Sequence, residues 1–145
     1  MKLAIQTMTY LAHPEHPDLR VTFVQDQSKW NFQLERKTKE GWKRVHMRVG
    51  YSEIDQAIKT AAQVLSQAIQ DKEFIDETTR DADYVAIWEK VNDFWLLVRS
   101  GYLYSIGVDT CRDMIRQNEL SKKRKRIYRI FPEGYNPNTR EYWAH

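Results

Sequence analysis

Cysteine occurs once in the chain, as Cys111, which excludes an internal disulfide and any metal cage built from several thiolates. Hydrophobic runs are short: none approaches the roughly 20 apolar residues that span a bilayer. The opening Met1-Lys2-Leu3-Ala4-Ile5-Gln6-Thr7 also lacks the apolar middle of a secretory signal. A cytoplasmic protein with no membrane partner is the expectation. Glycine (5) and proline (4) are sparse; there is no Gly-rich phosphate loop, no nucleophile elbow, no internal repeat and no low-complexity tract. Stability must therefore come from packing, for which five Trp, eight Tyr and five Phe are ample. With 41% hydrophobic and 30% charged side chains, the 145 residues match an ordinary globular domain.

Net charge is only +3, but it is unevenly distributed. Residues 20–50 hold eight Lys/Arg against three Asp/Glu, residues 51–93 hold four against ten, and residues 94–145 hold ten against five. Two basic segments flanking an acidic one could form positive patches that attract a polyanion. A mixed-charge surface that only keeps the chain soluble gives the same totals.

The pattern of elements is α+β: an antiparallel meander of three to four strands packed by a helix, then a helical half with a short C-terminal strand. Leu3, Ile5, Thr7, Thr9 and Tyr10 suggest a leading strand. The segment His13-Pro14-Glu15-His16-Pro17-Asp18 breaks it, since proline removes backbone donors. Leu19, Val21, Phe23 and Gln25 alternate with polar neighbours, as do Trp30, Phe32 and Leu34 after a polar turn. In residues 42–49, Val45, Met47 and Val49 are expected on one face and Arg44, His46 and Arg48 on the other. Ser52 and Asp55 form a capping signal for a helix whose Ile54, Ala57, Ile58, Ala61, Leu65, Ala68 and Ile69 recur at helical spacing. Its alanines would allow close approach to a sheet lined by Trp30, Phe32 and Met47.

Domain boundaries are expected at residues 1–72 (sheet plus helix), 73–82 (acidic hinge) and 83–145 (helical half with a basic C-terminal segment), with one shared core left open. Tyr84, Ile87, Trp88, Val91, Phe94, Trp95 and Val98 fit an aromatic helix stripe. Gly107 closes a short connection over residues 102–106, and Thr110 with Asp113 caps a further helix carrying Cys111, Met114 and Ile115. A basic run, a strand over residues 127–131 and a tail ending in Tyr142-Trp143 follow. Exposed tails seldom need Trp, so this one is expected to dock.

Two surfaces have the chemistry for nucleic acid. The meander face away from its helix would show Arg20, Thr22, Asn31, Gln33, Arg44, His46 and Arg48, with Lys37 and Lys39 at the turn. Arg reads guanine bidentately, Asn and Gln read adenine, and lysines neutralise phosphate. A solvated sheet face that is basic by chance has the same composition. The order of Trp30, Phe32, Gly41, Lys43, Arg44, Val49, Ala57 and Ala61 resembles the small arm-type DNA-binding domains of phage and transposon integrases, which implies three strands and a helix on DNA. The likeness covers residues 20–70; Glu35 and the extra leading strand depart from it, and no integrase catalytic domain follows.

The second surface is the capped helix, the run Lys122-Lys123-Arg124-Lys125-Arg126, and the strand with Tyr128, Arg129 and Phe131. This order resembles the recognition helix and wing of excisionase-like winged helices. The resemblance implies Arg112, Arg116 and Gln117 at bases, with the basic run and Arg129 on phosphates. Tyr128 and Phe131 could also stack on single-stranded bases. A solvated basic turn is the plain alternative.

Enzyme readings are thinner. Asp26 with Glu35-Arg36-Lys37 echoes the Asp…Glu-x-Lys pattern of magnesium-dependent nucleases. His13 and His16 lie three apart without further convincing ligands, so a proline-rich surface turn is expected there and no metal site. Cys111 is expected to be a buried, inert thiol. The leading expectation is a non-catalytic DNA- or RNA-binding accessory protein, from a mobile element, without cofactors. The runner-up is a protein-interaction module using Asp81, Asp83, Glu89 and the Trp88/Trp95 stripe, and a metal-dependent nuclease is third.

Overall fold

The computed structural model describes residues 9–121 and 124–143, apart from the side chain of Thr9. Leu3, Ile5 and Thr7 of the expected leading strand, and Lys122 and Lys123 of the basic run, lie outside the described residues. The fold is α+β, and the chain divides into two compact units, Met1–Gln70 and Asp71–His145. No described helix is long and apolar enough to cross a membrane.

In the first unit, β1 (Thr9–His13), β2 (His16–Asp26), β3 (Lys29–Thr38) and β4 (Gly41–Tyr51) form an antiparallel sheet in sequence order, followed by α1 (Ile54–Asp71). The prolines at 14 and 17 do not break the chain for long. Pro14 sits in a two-residue turn that pairs His13 with His16, and Pro17 falls at the start of β2, where a missing donor is tolerated. Asp26 pairs with Lys29 and Thr38 with Gly41, so the next two hairpins are equally tight. Gly41 takes φ 107° at the second of them, a conformation that suits glycine.

Alternation then decides burial. Leu19, Val21, Phe23, Phe32 and Leu34 form the core with Ala57, Ala61 and Leu65 of α1. Ala57 and Ala61 are fully buried, and their small side chains let α1 lie close to the large rings of Phe23 and Phe32.

The alternation expected along residues 42–49 does not hold. The register slips between Leu34 and Glu35: Glu35 pairs with Arg44 and Leu34 with His46, leaving Val45 as the extra residue of a bulge. A one-residue slip exchanges faces. Val45 therefore packs on the core, while Met47 and Val49, expected beside it, are 49% and 65% exposed.

The second unit departs more from expectation. The aromatic stretch read as a helix is a hairpin of β5 (Tyr84–Val91) and β6 (Phe94–Leu103), joined through Asn92 and Asp93 with Asn92 at φ 55°. Residues spaced for a helix were also β-branched and aromatic strand formers, and the two-residue Asn-Asp link favours the hairpin. The connection expected over residues 102–106 is divided between the end of β6 and the start of the helix that follows, α2 (Tyr104–Leu120). Thr110 is not its cap: its hydroxyl donates to the Ile106 carbonyl inside the helix. β7 (Ile127–Pro132) completes a sheet of order β6-β5-β7, and a short pair, β8 (Tyr135–Asn136) and β9 (Glu141–Tyr142), ends the chain.

β5 is central and buried on both sides. Val85 and Ile87 join Phe74, Val108, Cys111 and Ile130 against α2. Ala86 and Trp88 join Phe131 and Tyr135 on the opposite face. The tail docks on that second face: the Trp143 ring lies 6.3 Å from Trp88 and Tyr142 lies 5.2 Å from Tyr135. Gly107 marks where α2 approaches most closely, since a Cβ there would overlap Cγ2 of Val85.

Candidate nucleic-acid interface

The face of the first sheet away from α1 is built by the alternate residues of β2 and β3. Cross-strand pairs share a face, so Arg20 with Glu35, Thr22 with Gln33 and Val24 with Asn31 all lie here. Arg20 is held rather than free. Its Nε donates to Glu35 Oε1 at 3.0 Å, and its guanidinium lies 4.8 Å from the Tyr10 ring centroid and 4.0 Å from that of Trp42. The result is a layered Tyr10–Arg20–Trp42 stack with its charge balanced by Glu35. Tyr10 is 53% exposed.

Beside the stack lies a shallow depression lined in part by Thr22, Val24, Asn31, Gln33 and Met47. Thr22 is fully buried, and its hydroxyl has no partner among the described residues. The Asn31 amide oxygen accepts the Gly50 N–H at 3.0 Å, which fixes its orientation. Arg44 flanks the depression opposite Glu35, with Nη1 3.2 Å from the Met47 sulfur. Lys37 and Arg44 are exposed and have no carboxylate partner among the described residues. At the hairpin tip Lys43 is 3.3 Å from Glu40, while Lys39 is exposed and engaged in an interaction of its own.

The single basic face expected from Arg44, His46 and Arg48 is split. The bulge at Val45 puts Arg44 opposite Glu35 on the outer face, but His46 opposite Leu34 and Arg48 opposite Phe32, on the face that α1 covers. Arg48 is nevertheless exposed, because β4 is an edge strand.

In the second unit the expected contacts divide between ion pairs and solvent. Arg112 reaches Asp71 through two hydrogen bonds, of 2.9 and 2.5 Å, and Asp109 at 3.1 Å. The Asp71 hydrogen bond raises its pKa above the ordinary guanidinium value against the opposing effect of burial. Arg112 is thus not presented to bases. Arg116 and Gln117 are exposed on α2. Asn118 braces the basic segment: its amide donates to the Arg124 carbonyl and accepts the Arg126 N–H at 2.8 Å. Arg124, Lys125 and Arg126 are exposed on this short arch, with Arg126 3.5 Å from Glu89. Tyr128 packs on the α2-side core, and Arg129 lies 3.9 Å from Asp76 and 5.7 Å from the Trp95 ring. The strand expected as a wing, β7, pairs with β5.

The other candidates fare differently. Glu35 faces Arg20, and Asp26 stands six residues along β2 from Arg20, about 20 Å at the usual strand rise. Asp26 and Glu35 therefore cannot share a metal ion. Cys111 is fully buried, and burial and the Asp71 charge push its thiol up to about 12. Trp88 is 5% exposed and belongs to the core. Asp81 and Glu89 are paired with Arg80 and Arg126, and the Asp83 carbonyl accepts the Tyr104 N–H.

Sequence reasoning missed Tyr10 and Trp42 as surface aromatics. The one signal available was the position of Trp42, directly after the turn that pairs Thr38 with Gly41. Comparison of the chain with protein-family models, with curated proteins and with solved structures gives no match.

Proposed function

We propose that the chain is a non-catalytic nucleic-acid-binding protein whose main contact surface is the outer face of the first sheet, with residues 124–126 a separate phosphate-binding element of the second unit. One observation carries this reading: the Tyr10–Arg20–Trp42 stack lies on the same face as the Asn31 and Gln33 amides and the exposed cations Lys37 and Arg44. Aromatic platforms, amides that can read base edges and unpaired cations on one open sheet are the parts a single strand needs. An open sheet face with aromatics on its two edge strands, Tyr10 of β1 and Trp42 of β4, fits unstacked bases better than the groove of a duplex. Arg20 supports the rings, whereas Lys37 and Arg44 meet phosphate. Electrophoretic shifts with single-stranded and duplex probes at two salt concentrations test this. Single strands are expected to bind more tightly, with log K falling by about 0.7 per neutralised phosphate for each unit of log salt. No shift at low salt with either probe removes the reading.

A protein partner is the second reading, favoured by β6. Phe94, Leu96, Leu97 and Val98 are 66%, 53%, 45% and 40% exposed on an edge strand. The backbone of that edge is partly occupied: Asn138 bonds both the N–H and the carbonyl of Trp95, and Glu133 accepts the Gly101 N–H. A partner would therefore meet side chains rather than extend the sheet. Loss of a stoichiometric protein partner on Leu96→Glu, with nucleic-acid binding intact, would bring this reading forward.

A further inference from the structure

The turn between β1 and β2 places three metal-binding side chains together. His13 pairs with His16 across Pro14 and Glu15, and the two imidazole centroids are 5.3 Å apart. One ligand atom from each of His13, Glu15 and His16 lies within 4.8 Å of the other two. The third donor was within the motif all along, but only a two-residue turn brings Glu15 to the same side as both rings. Metal–nitrogen and metal–oxygen bonds of about 2.0–2.2 Å separate tetrahedral donors by about 3.3–3.5 Å. Side-chain rotation moving the donors by about 1 Å is enough to close such a set.

The turn is prepared for this. Pro14 and Pro17 restrict the backbone on either side of Glu15 and His16. The Glu15 N–H donates to His13 Nδ1 at 3.1 Å, which holds that ring against the turn. A metal bound at Nε2 would leave this bond in place, and one bound at Nδ1 would replace the N–H as its partner. Two imidazoles and one carboxylate suit a borderline divalent ion, whereas Mg²⁺ and Ca²⁺ require mainly oxygen ligands.

We propose that His13, Glu15 and His16 bind a divalent transition-metal ion of the Zn²⁺, Ni²⁺ and Cu²⁺ class and so tie the edge strand β1 to β2. Three protein donors leave at least one position for water. The site stands independently of the nucleic-acid reading, because none of its residues belongs to that surface. Its structural effect falls on β1, whose ladder slips between Ala12 and His13 and which has no neighbour on its other side among the described residues.

Calorimetric titration of the full chain with ZnCl₂ tests the proposal, with His13→Gln, Glu15→Gln and His16→Gln variants and His46→Gln as control. One Zn²⁺ per chain is expected, weakened in all three variants, by about tenfold or more in the two histidine ones, unchanged in the control and not displaced by Mg²⁺. The His13 and His16 imidazole resonances should shift on loading, and exchange of the Leu11 amide should slow. These two readouts come from the unsubstituted chain and decide the matter if a variant fails to fold. Zn²⁺ binding as tight in His13→Gln and His16→Gln as in the parent chain, or a titration that leaves both imidazoles unmoved, overturns the proposal.

Discussion

Arg112 and Asp71 face each other through two parallel hydrogen bonds, Nε to Oδ1 at 2.9 Å and Nη2 to Oδ2 at 2.5 Å. The Asp71 side chain is 4% exposed and that of Arg112 19%. A fork-to-fork pair of this kind is strong when complete and costly when halved. Arg112→Ala removes the guanidinium that pairs with a buried carboxylate and is expected to destabilise the chain by about 3–5 kcal/mol. Replacing both residues by Leu should recover much of that loss. Arg124→Ala, in an exposed position, should stay within about 0.5 kcal/mol. Urea denaturation of the three variants compares them directly, and an Arg112→Ala chain as stable as the parent would contradict the pairing.

Gly107 is a steric requirement of α2. Its missing Cβ is the space that Val85 occupies, with Tyr102 Cβ 3.2 Å from the same point. Alanine has the better helix propensity, so an exposed glycine at this point would gain stability on substitution. Overpacking against a buried strand wins here, and Gly107→Ala is expected to lower stability by about 1–3 kcal/mol. Val85→Ala in the same chain should relieve part of the strain, which a double-mutant cycle measures.

Cys111 gives an alkaline signature. Its thiol rises from 9.0 to about 12 in the folded chain, through burial first and the Asp71 charge second. The unfolded thiol ionises near its ordinary value, so the unfolded state loses a proton that the folded state keeps. The stability tied to the protonated thiol is therefore complete below about pH 9 and is lost as pH rises from there toward 12. Between these limits the parent should lose up to about 1.4 kcal/mol per pH unit relative to Cys111→Ala. Denaturation midpoints at pH 8 and pH 10 measure the difference, and parallel slopes for the two chains would refute it. A thiol reagent should label Cys111 only as fast as the unit opens.

Much of the first unit was legible where one period governed an element. Ala57, Ala61 and Leu65 recur at helical spacing and all three are buried, and Leu19, Val21 and Phe23 alternate as a half-buried strand should. The tail was legible in part: Tyr142 and Trp143 each meet an aromatic partner, as a docking tail should, yet they stay 62% and 46% exposed. What failed were places where two patterns coincide. Residues 84–98 satisfy a helical spacing, yet Val85, Ala86, Ile87 and Trp88 are consecutively buried because β5 is covered on both faces. Burial without alternation carries no period to read. The bulge at Val45 has no signature in composition, yet it alone moves His46 and Arg48 off the outer face. Ion pairing is equally silent in sequence, since Asp71 and Arg112 are 41 residues apart.

The candidate surface has accordingly contracted. Of its expected cations, Arg44 and Lys37 keep an outer position without a carboxylate, while Arg20 is enclosed by Tyr10, Trp42 and Glu35. Fluorescence anisotropy of a labelled single-stranded oligonucleotide against the parent and the Lys37→Glu/Arg44→Glu double variant is the direct test, at low and moderate salt. The double variant is expected to bind at least about tenfold more weakly and to show a salt slope shallower by about 1.4, the share of two phosphate contacts. Equal affinity and equal slope for the two chains would mean that this face does not hold nucleic acid.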